Sequence, residues 1–211
     1  MENLDMFDKI RDSYENKGTI LIKLEDDLNP FNKEDITKLN DYCENVEKEF
    51  VEIGDAGELN YLSVGRFMHD KEKPELANNP YASKVLEIIS KQQVKKFIQG
   101  VINSDKDIFI RRAQYNEITK NCFVGYHLDV DSNPDYIAAC VIQLGTKYKG
   151  GLYRVYNKDS KDVFNDFNSS FGSLIISNCH FPHEVTKVED GKRKSLVFFV
   201  SYHNGLNRRY T

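Results

Sequence analysis

The sequence predicts a mainly β protein of the α+β class, a two-sheet jelly roll with helices packed on one sheet. Two observations carry that prediction. In the front half, apolar residues recur at three- and four-residue steps, the period of an amphipathic helix. After Asp107 the period drops to two, in short runs separated by turn clusters, as in strands with one face buried. The helices need a sheet to cover their apolar stripe. The change of period near residue 105 is therefore no domain boundary, and residues 1–211 read as one domain, with a helical front part to about 105 and a jelly-roll core over about 107–202.

The elements follow in order. Helical spacing runs from Leu4 to Tyr14, and a strand over Thr19 to Leu24 ends at the breaker Asp26-Asp27-Leu28-Asn29-Pro30. A helix is expected from Lys33 to Phe50, and an extended segment from Tyr61 to Phe67. The clearest helix is Tyr81 to Ile102, where Ala82, Val85, Leu86, Ile89, Gln93, Phe97 and Val101 share one face. Asn78-Asn79-Pro80 supplies its start signal. Strands are expected at 108–116, 123–130, 136–144, 151–157, 162–166, 173–178, 183–188 and 195–202, with Gly191 in a hairpin turn between the last two.

Bulk properties exclude several classes. A net charge of -4 and a pI near 5.8 give no basic footprint for nucleic acid. No apolar run is long enough to span a bilayer, and Met1-Glu2-Asn3-Leu4-Asp5 lacks the basic and apolar regions of a signal peptide. A cytoplasmic protein with no membrane or nucleic-acid partner is the expectation. Cys43, Cys122, Cys140 and Cys179 are scattered without a Cys-x-x-Cys pair, which fits reduced thiols and not a metal cluster.

The chemistry concentrates in His127-Leu128-Asp129, with His183 and Arg193 further on. Two imidazoles and one carboxylate on one face of an octahedral metal leave positions open, the ligand set of a non-haem Fe(II) oxygenase. On a strand, the i, i+2 spacing turns His127 and Asp129 to one face. His180 competes with His183, but three residues apart they cannot both face inward on a regular strand. Pro182 breaks the ladder just before His183, so His180 is expected at the rim. Arg193 has the planar fork that suits a buried carboxylate, and Ser195 shares its face of the strand. Gln143 is expected to face inward by alternation with Ala139 and Val141. Arg111, alternating with Tyr115, is a candidate for a substrate carboxylate, although a surface ion pair explains it equally well.

These residues resemble the Fe(II)- and 2-oxoglutarate-dependent dioxygenases, in particular the prolyl-hydroxylase-like branch. The resemblance rests on Tyr115, Gly125-Tyr126-His127-Leu128-Asp129, Gly150-Gly151-Leu152-Tyr153, Gly172-Ser173-Leu174-Ile175-Ile176, Pro182-His183-Glu184-Val185 and Gly191-Lys192-Arg193-Lys194-Ser195-Leu196. It covers roughly positions 107 to 202 and implies a double-stranded β-helix whose N-terminal helices buttress the larger sheet. It further implies Fe(II) on His127, Asp129 and His183, 2-oxoglutarate on Arg193 and Ser195 with Tyr115 facing the cavity and Gln143 adding an amide contact, O2 as oxidant and ascorbate as accessory reductant. Asp129 stands where the related halogenases have a small residue, which points to hydroxylation. The substrate expected is a small molecule, an amino acid or a peptide side chain. The rival expectations are a non-catalytic jelly-roll sensor for a metal or 2-oxo acid, and a cupin-like enzyme without 2-oxoglutarate. Arg193 with Ser195 speaks against the last.

Overall fold

The structure, a computed structural model, describes residues 2–210 and the side chains of 6–209. Met1 and Thr211, the ends of the domain drawn from the sequence, lie outside the described residues. The front half holds α1 (Glu2–Asn16), β1 (Thr19–Ile22) and α2 (Lys33–Glu44). Asn32 caps α2 by accepting from Asp35 N at 2.9 Å, with Glu34 and Asp35 in the positive first turn. This helix does not run to Phe50. Glu49-Phe50-Val51-Glu52-Ile53 instead forms β2 (Glu49–Ile53), which pairs with β3 (Leu59–Asp70). A five-residue run was too short to register as alternation against the helical pattern before it. β4 (Pro74–Leu76) is a further short strand on β3.

The long helix expected over 81–102 is two helices, α3 (Tyr81–Ile89) and α4 (Gln92–Val101). Lys91 lies between them with extended backbone (φ -51°, ψ 143°), and its Nζ reaches Asp35 Oδ1 at 2.6 Å. The apolar period reads through the break because both helices bury residues in the same cluster, Val85 and Ile89 from α3 and Val94, Ile98 and Val101 from α4.

The back half supplies β5 (Phe109–Thr119), β6 (Phe123–His127), β7 (Ala138–Gln143), β8 (Tyr148–Gly150), β9 (Tyr153–Tyr156), β10 (Val163–Phe167), β11 (Leu174–Asn178), β12 (His183–Val185) and β13 (Val188–Ser201). Gly191 makes no hairpin. β13 runs through it at φ +74°, beside a register break against β8, so the glycine bends the strand without ending it.

The strands follow the order β1-β11-β7-β13-β5-β3-β6-β12-β9-β10, with β2 and β4 on β3 and β8 on β13. β3 turns the corner. It pairs with β5 along one stretch and with β6 through Asn60 and Tyr61. The larger layer, β1 to β5 in that order, carries the helices on its outer face. On β13, Leu196, Phe198 and Val200 pack toward the helices, whereas Val197 and Phe199 point between the layers with Leu62, Val141 and Val155. β7, covered on both sides, is buried at every position and so reads as a continuous apolar run. This is the jelly roll with helices on the larger sheet that the sequence predicts.

The layers approach closely at one glycine. A Cβ on Gly125 would lie 2.5 Å from the carbonyl oxygen of Leu59, so β6 can sit against β3 only without a side chain there. Gly125→Ala should therefore lower stability by about 1–3 kcal/mol, the usual range for overpacking. Urea unfolding checks this, and an unchanged midpoint would mean that the strands separate freely.

Candidate active site

His127 closes β6 and His183 opens β12, and the two residues face each other as antiparallel partners. Their ring centroids are 4.3 Å apart. Asp129 is not on the strand. It begins a 3-10 turn, Asp129–Asp131, and the turn rather than strand alternation brings its carboxylate between the imidazoles. Asp129 Oδ1 lies 3.4 Å from His127 Nε2, and Oδ2 lies 3.7 Å from His183 Nε2. One donor atom from each residue falls within 4.8 Å of the others, so the three could hold a metal ion. The Nδ1 atom of His127 sits 2.8 Å from Gly125 O and that of His183 3.2 Å from Phe181 O. These contacts fix both rings with Nε2 toward the centre, the outer-shell support that metal-binding histidines use.

Electrostatics mark the same spot. Burial disfavours charge on His127, but the hydrogen bond and charge of Asp129 prevail and raise its pKa to about 9. His183, more deeply buried and beside charged His127, is pushed down to about 4 although Asp129 opposes this. Asp129 remains a carboxylate against its own burial because both imidazoles favour its charge. Its Oδ2 is buried without a hydrogen-bond partner. Cys179, next to this carboxylate, is held as a thiol by burial and by the charge of Asp129.

Arg193 lines the same cavity from β13. It is 2% exposed; Nη1 donates to Ser195 Oγ at 3.1 Å, while Nε and Nη2 have no partner. Burial disfavours its charge, and the tyrosines Tyr148 and Tyr153 act in the opposite direction. The space for it depends on Gly151 (φ +60°), where a Cβ would stand 3.1 Å from Arg193 Cδ.

Residues 113–201 match the family model of the 2OG-Fe(II) oxygenase superfamily. The fold is similar to that of an oxidoreductase of the 2OG-Fe(II) oxygenase family from Burkholderia pseudomallei. Identity is 30% and the TM-score 0.85, over 96% of this chain and 93% of that one. The chain belongs to the 2OG-Fe(II) oxygenase family.

More distant structures share the fold. A Pseudomonas putida prolyl-4-hydroxylase has 16% identity and a TM-score of 0.65, over 93% of this chain and 98% of that one. SnoN, a non-haem α-ketoglutarate-dependent epimerase of nogalamycin biosynthesis, has 7% identity and a TM-score of 0.69, over 93% and 83%. No curated protein matches the chain by sequence. Membership in the 2OG-Fe(II) oxygenases implies Fe(II), 2-oxoglutarate and O2, and the residues present fit them. The orphaned Asp129 Oδ2 and the two fixed Nε2 atoms suit a divalent cation, and the unspent donors of Arg193 suit a carboxylate. No described helix is long and apolar enough to cross a membrane.

The structure separates the remaining sequence candidates. Gln143 pairs in register with Ser195, as alternation with Ala139 and Val141 expects, but its Nε2 donates back to Gly145 O at 3.2 Å and it lies beyond the cavity lining. Tyr115 does not face the cavity. It is buried in the helix-side core, its hydroxyl 3.4 Å from Glu44 Oε1. Arg111 shares that orientation and is spent on Asp70, in a pair wholly removed from solvent. β5 is therefore turned by one residue from the phase that its place in the family's pattern implies. Arg112, Gln114 and Asn116 are the ones that line the cavity, and their polar alternation on a strand buried on both faces was the available signal. The cavity tyrosine is Tyr153, which stacks on His183 with centroids 5.2 Å apart and whose hydroxyl has no hydrogen-bond partner. His180 is exposed, outside the triad.

Proposed function

We propose that this chain is a cytoplasmic, single-domain hydroxylase dependent on Fe(II) and 2-oxoglutarate. It oxidises an unactivated carbon of a small molecule, amino acid or peptidyl side chain and releases succinate and CO2. One observation supports this above the rest: Arg193 is a buried cation with two unused donors, opening on the cavity that holds His127, Asp129 and His183. An unpaired buried charge destabilises a fold unless a ligand completes it. A dicarboxylate with one end at the triad and the other at Arg193 does so.

In this reading His127, Asp129 and His183 hold the iron, and Arg193 with Ser195 receives the distal carboxylate of 2-oxoglutarate. When bound, iron and co-substrate supply the oxidising equivalents drawn from O2. The chain's own residues do the rest. The carbonyls of Gly125 and Phe181 hold the imidazole orientation. The Tyr153 ring stacks on His183 and backs the imidazole. Leu62, Val64, Val141 and Val197 line the chamber with apolar surface that keeps water from the reacting carbon.

The test is succinate release from 2-oxoglutarate with Fe(II) and ascorbate, alongside a 2-oxoglutarate titration. Binding without succinate under any substrate mixture would make the protein a sensor, and absence of binding would remove the co-substrate site altogether. Arg193→Lys should raise the 2-oxoglutarate requirement while leaving that for iron nearly unchanged. Lysine keeps the charge but loses the fork, so a charge-assisted bond of about 1.5–3 kcal/mol is at stake. That is on the order of tenfold to hundredfold in affinity. An unchanged titration curve would move the carboxylate site elsewhere.

A further inference from the structure

The cavity mouth carries two arginines that the oxygenase chemistry leaves unassigned. Arg112, on the opposite face of β5 from Arg111, sits over the Phe199 ring at 5.6 Å. Its Nη1 reaches Asp55 Oδ2 at 2.5 Å. Arg66 on β3 approaches the same oxygen at 3.8 Å and holds Glu49 Oε1 at 2.8 Å. Gln114 Oε1 accepts from both guanidiniums, at 2.9 Å from Arg112 and 3.4 Å from Arg66, and keeps them side by side. The two cations are 11% and 17% exposed, whereas Asp55, in the turn between β2 and β3, is 47% exposed.

We propose that Arg112 and Arg66 are the receptor for the carboxylate of the substrate, a free amino acid, and that Asp55 holds that place until the substrate displaces it. The proposal rests on the hydroxylase reading above for what happens to the substrate next. Three observations carry it. Asp55, Arg66 and Arg112 line the same cavity as His127, Asp129 and Arg193. The anion site therefore faces the reacting centre. The Asp55 side chain that meets these guanidiniums is itself about half exposed, so water can replace its part of the contact. Solvent screens the carboxylate side of the pair, so a ligand carboxylate that is better enclosed can replace it.

The third observation is the charge around the pair. Arg66 and Arg112 also line an outer vestibule with Lys71 and Arg209, against the carboxylates of Glu49, Asp55 and Asp70. Burial, and then Arg66, Lys71 and Arg112, push the His69 pKa down, while only Glu49 opposes. The entrance thus carries a small excess of positive charge, and a neutralised Asp55 would enlarge it. Inside, Glu58 lines the cavity together with His127 and Asp129. Its oxygens each accept one hydrogen bond, from Asn60 Nδ2 and Ala56 N, which leaves a lone pair on each for an ammonium. A cation pair and a carboxylate in one chamber match the two ends of an amino acid.

Calorimetric titration of the full chain with the standard free amino acids, each against its primary amide, reads this directly. It is run with Mn(II) and 2-oxoglutarate and again without them. At least one acid should bind, with its amide weaker by about tenfold or more, the effect of losing a charge-assisted bond. Asp55→Asn should tighten the acid several-fold by removing the competing carboxylate. Arg112→Gln should abolish the preference for acid over amide. Equal binding of acid and amide, no binding by any acid, or weaker binding in Asp55→Asn would each overturn the proposal. Failure of 2-oxoglutarate to bind would count against the hydroxylase reading instead, and the titration without it would still decide the arginine pair.

Discussion

His183→Ala abolishes stoichiometric Fe(II) binding and turnover, and His180→Ala leaves iron binding intact. The difference follows from where the two side chains stand. His183 is buried with Nδ1 engaged by Phe181 O and Nε2 turned to Asp129, while His180 is exposed on the turn before β12. A facial site with three protein anchors has no spare. Removing one leaves two donors, and the loss should resemble or exceed the 10–100-fold that mutation of outer-shell partners alone typically costs. The check is metal analysis after anaerobic loading and desalting, with urea unfolding of both variants to exclude a folding defect. Full iron occupancy in His183→Ala would sink the assignment of all three ligands.

How much of this was legible before the structure depends on what kind of signal each residue carried. His127 and His183 stand at strand ends that face each other in register, and the motif that marks them is local, so sequence alone could bring them together. Asp129 was paired with His127 by strand alternation, yet a 3-10 turn delivers it. The strand argument reached the right juxtaposition through the wrong backbone. β5 was harder. It is buried on both faces, so the period of two is clear while its phase is not, and a slip of one residue exchanges every side chain between faces. Register breaks between Arg66 and Met68 on β3 and between Phe199 and Val200 on β13 flank that strand, and no sequence pattern reports them. The family's pattern sets the phase on Tyr115, and alternation then carries Arg111 with it, whereas the structure turns Arg112 to the cavity.

Arg111 and Arg193 are both fully buried, and they should respond oppositely to removal. Every nitrogen of Arg111 is engaged. Nε and Nη2 hold Asp70 at 3.0 and 2.8 Å, and Nη1 donates to the carbonyls of His203 and Gly205 at 2.8 and 3.0 Å. Asn133 and Asn207 complete the cluster by donating to Asp70. This arginine staples the segment after β13 onto β3 and β5. Arg111→Leu would leave Asp70 buried and unpaired, which costs about 3–5 kcal/mol. With a urea dependence of about 1–3 kcal/mol per M, the midpoint should fall on the order of 2 M. Arg193, by contrast, keeps two donors unpaired. Arg193→Leu removes an uncompensated charge, so the ligand-free protein should be as stable as the parent or more so, while 2-oxoglutarate no longer protects it from unfolding. A destabilised, ligand-free Arg193→Leu would show that this guanidinium, too, is structural, and the co-substrate site would lose its strongest support.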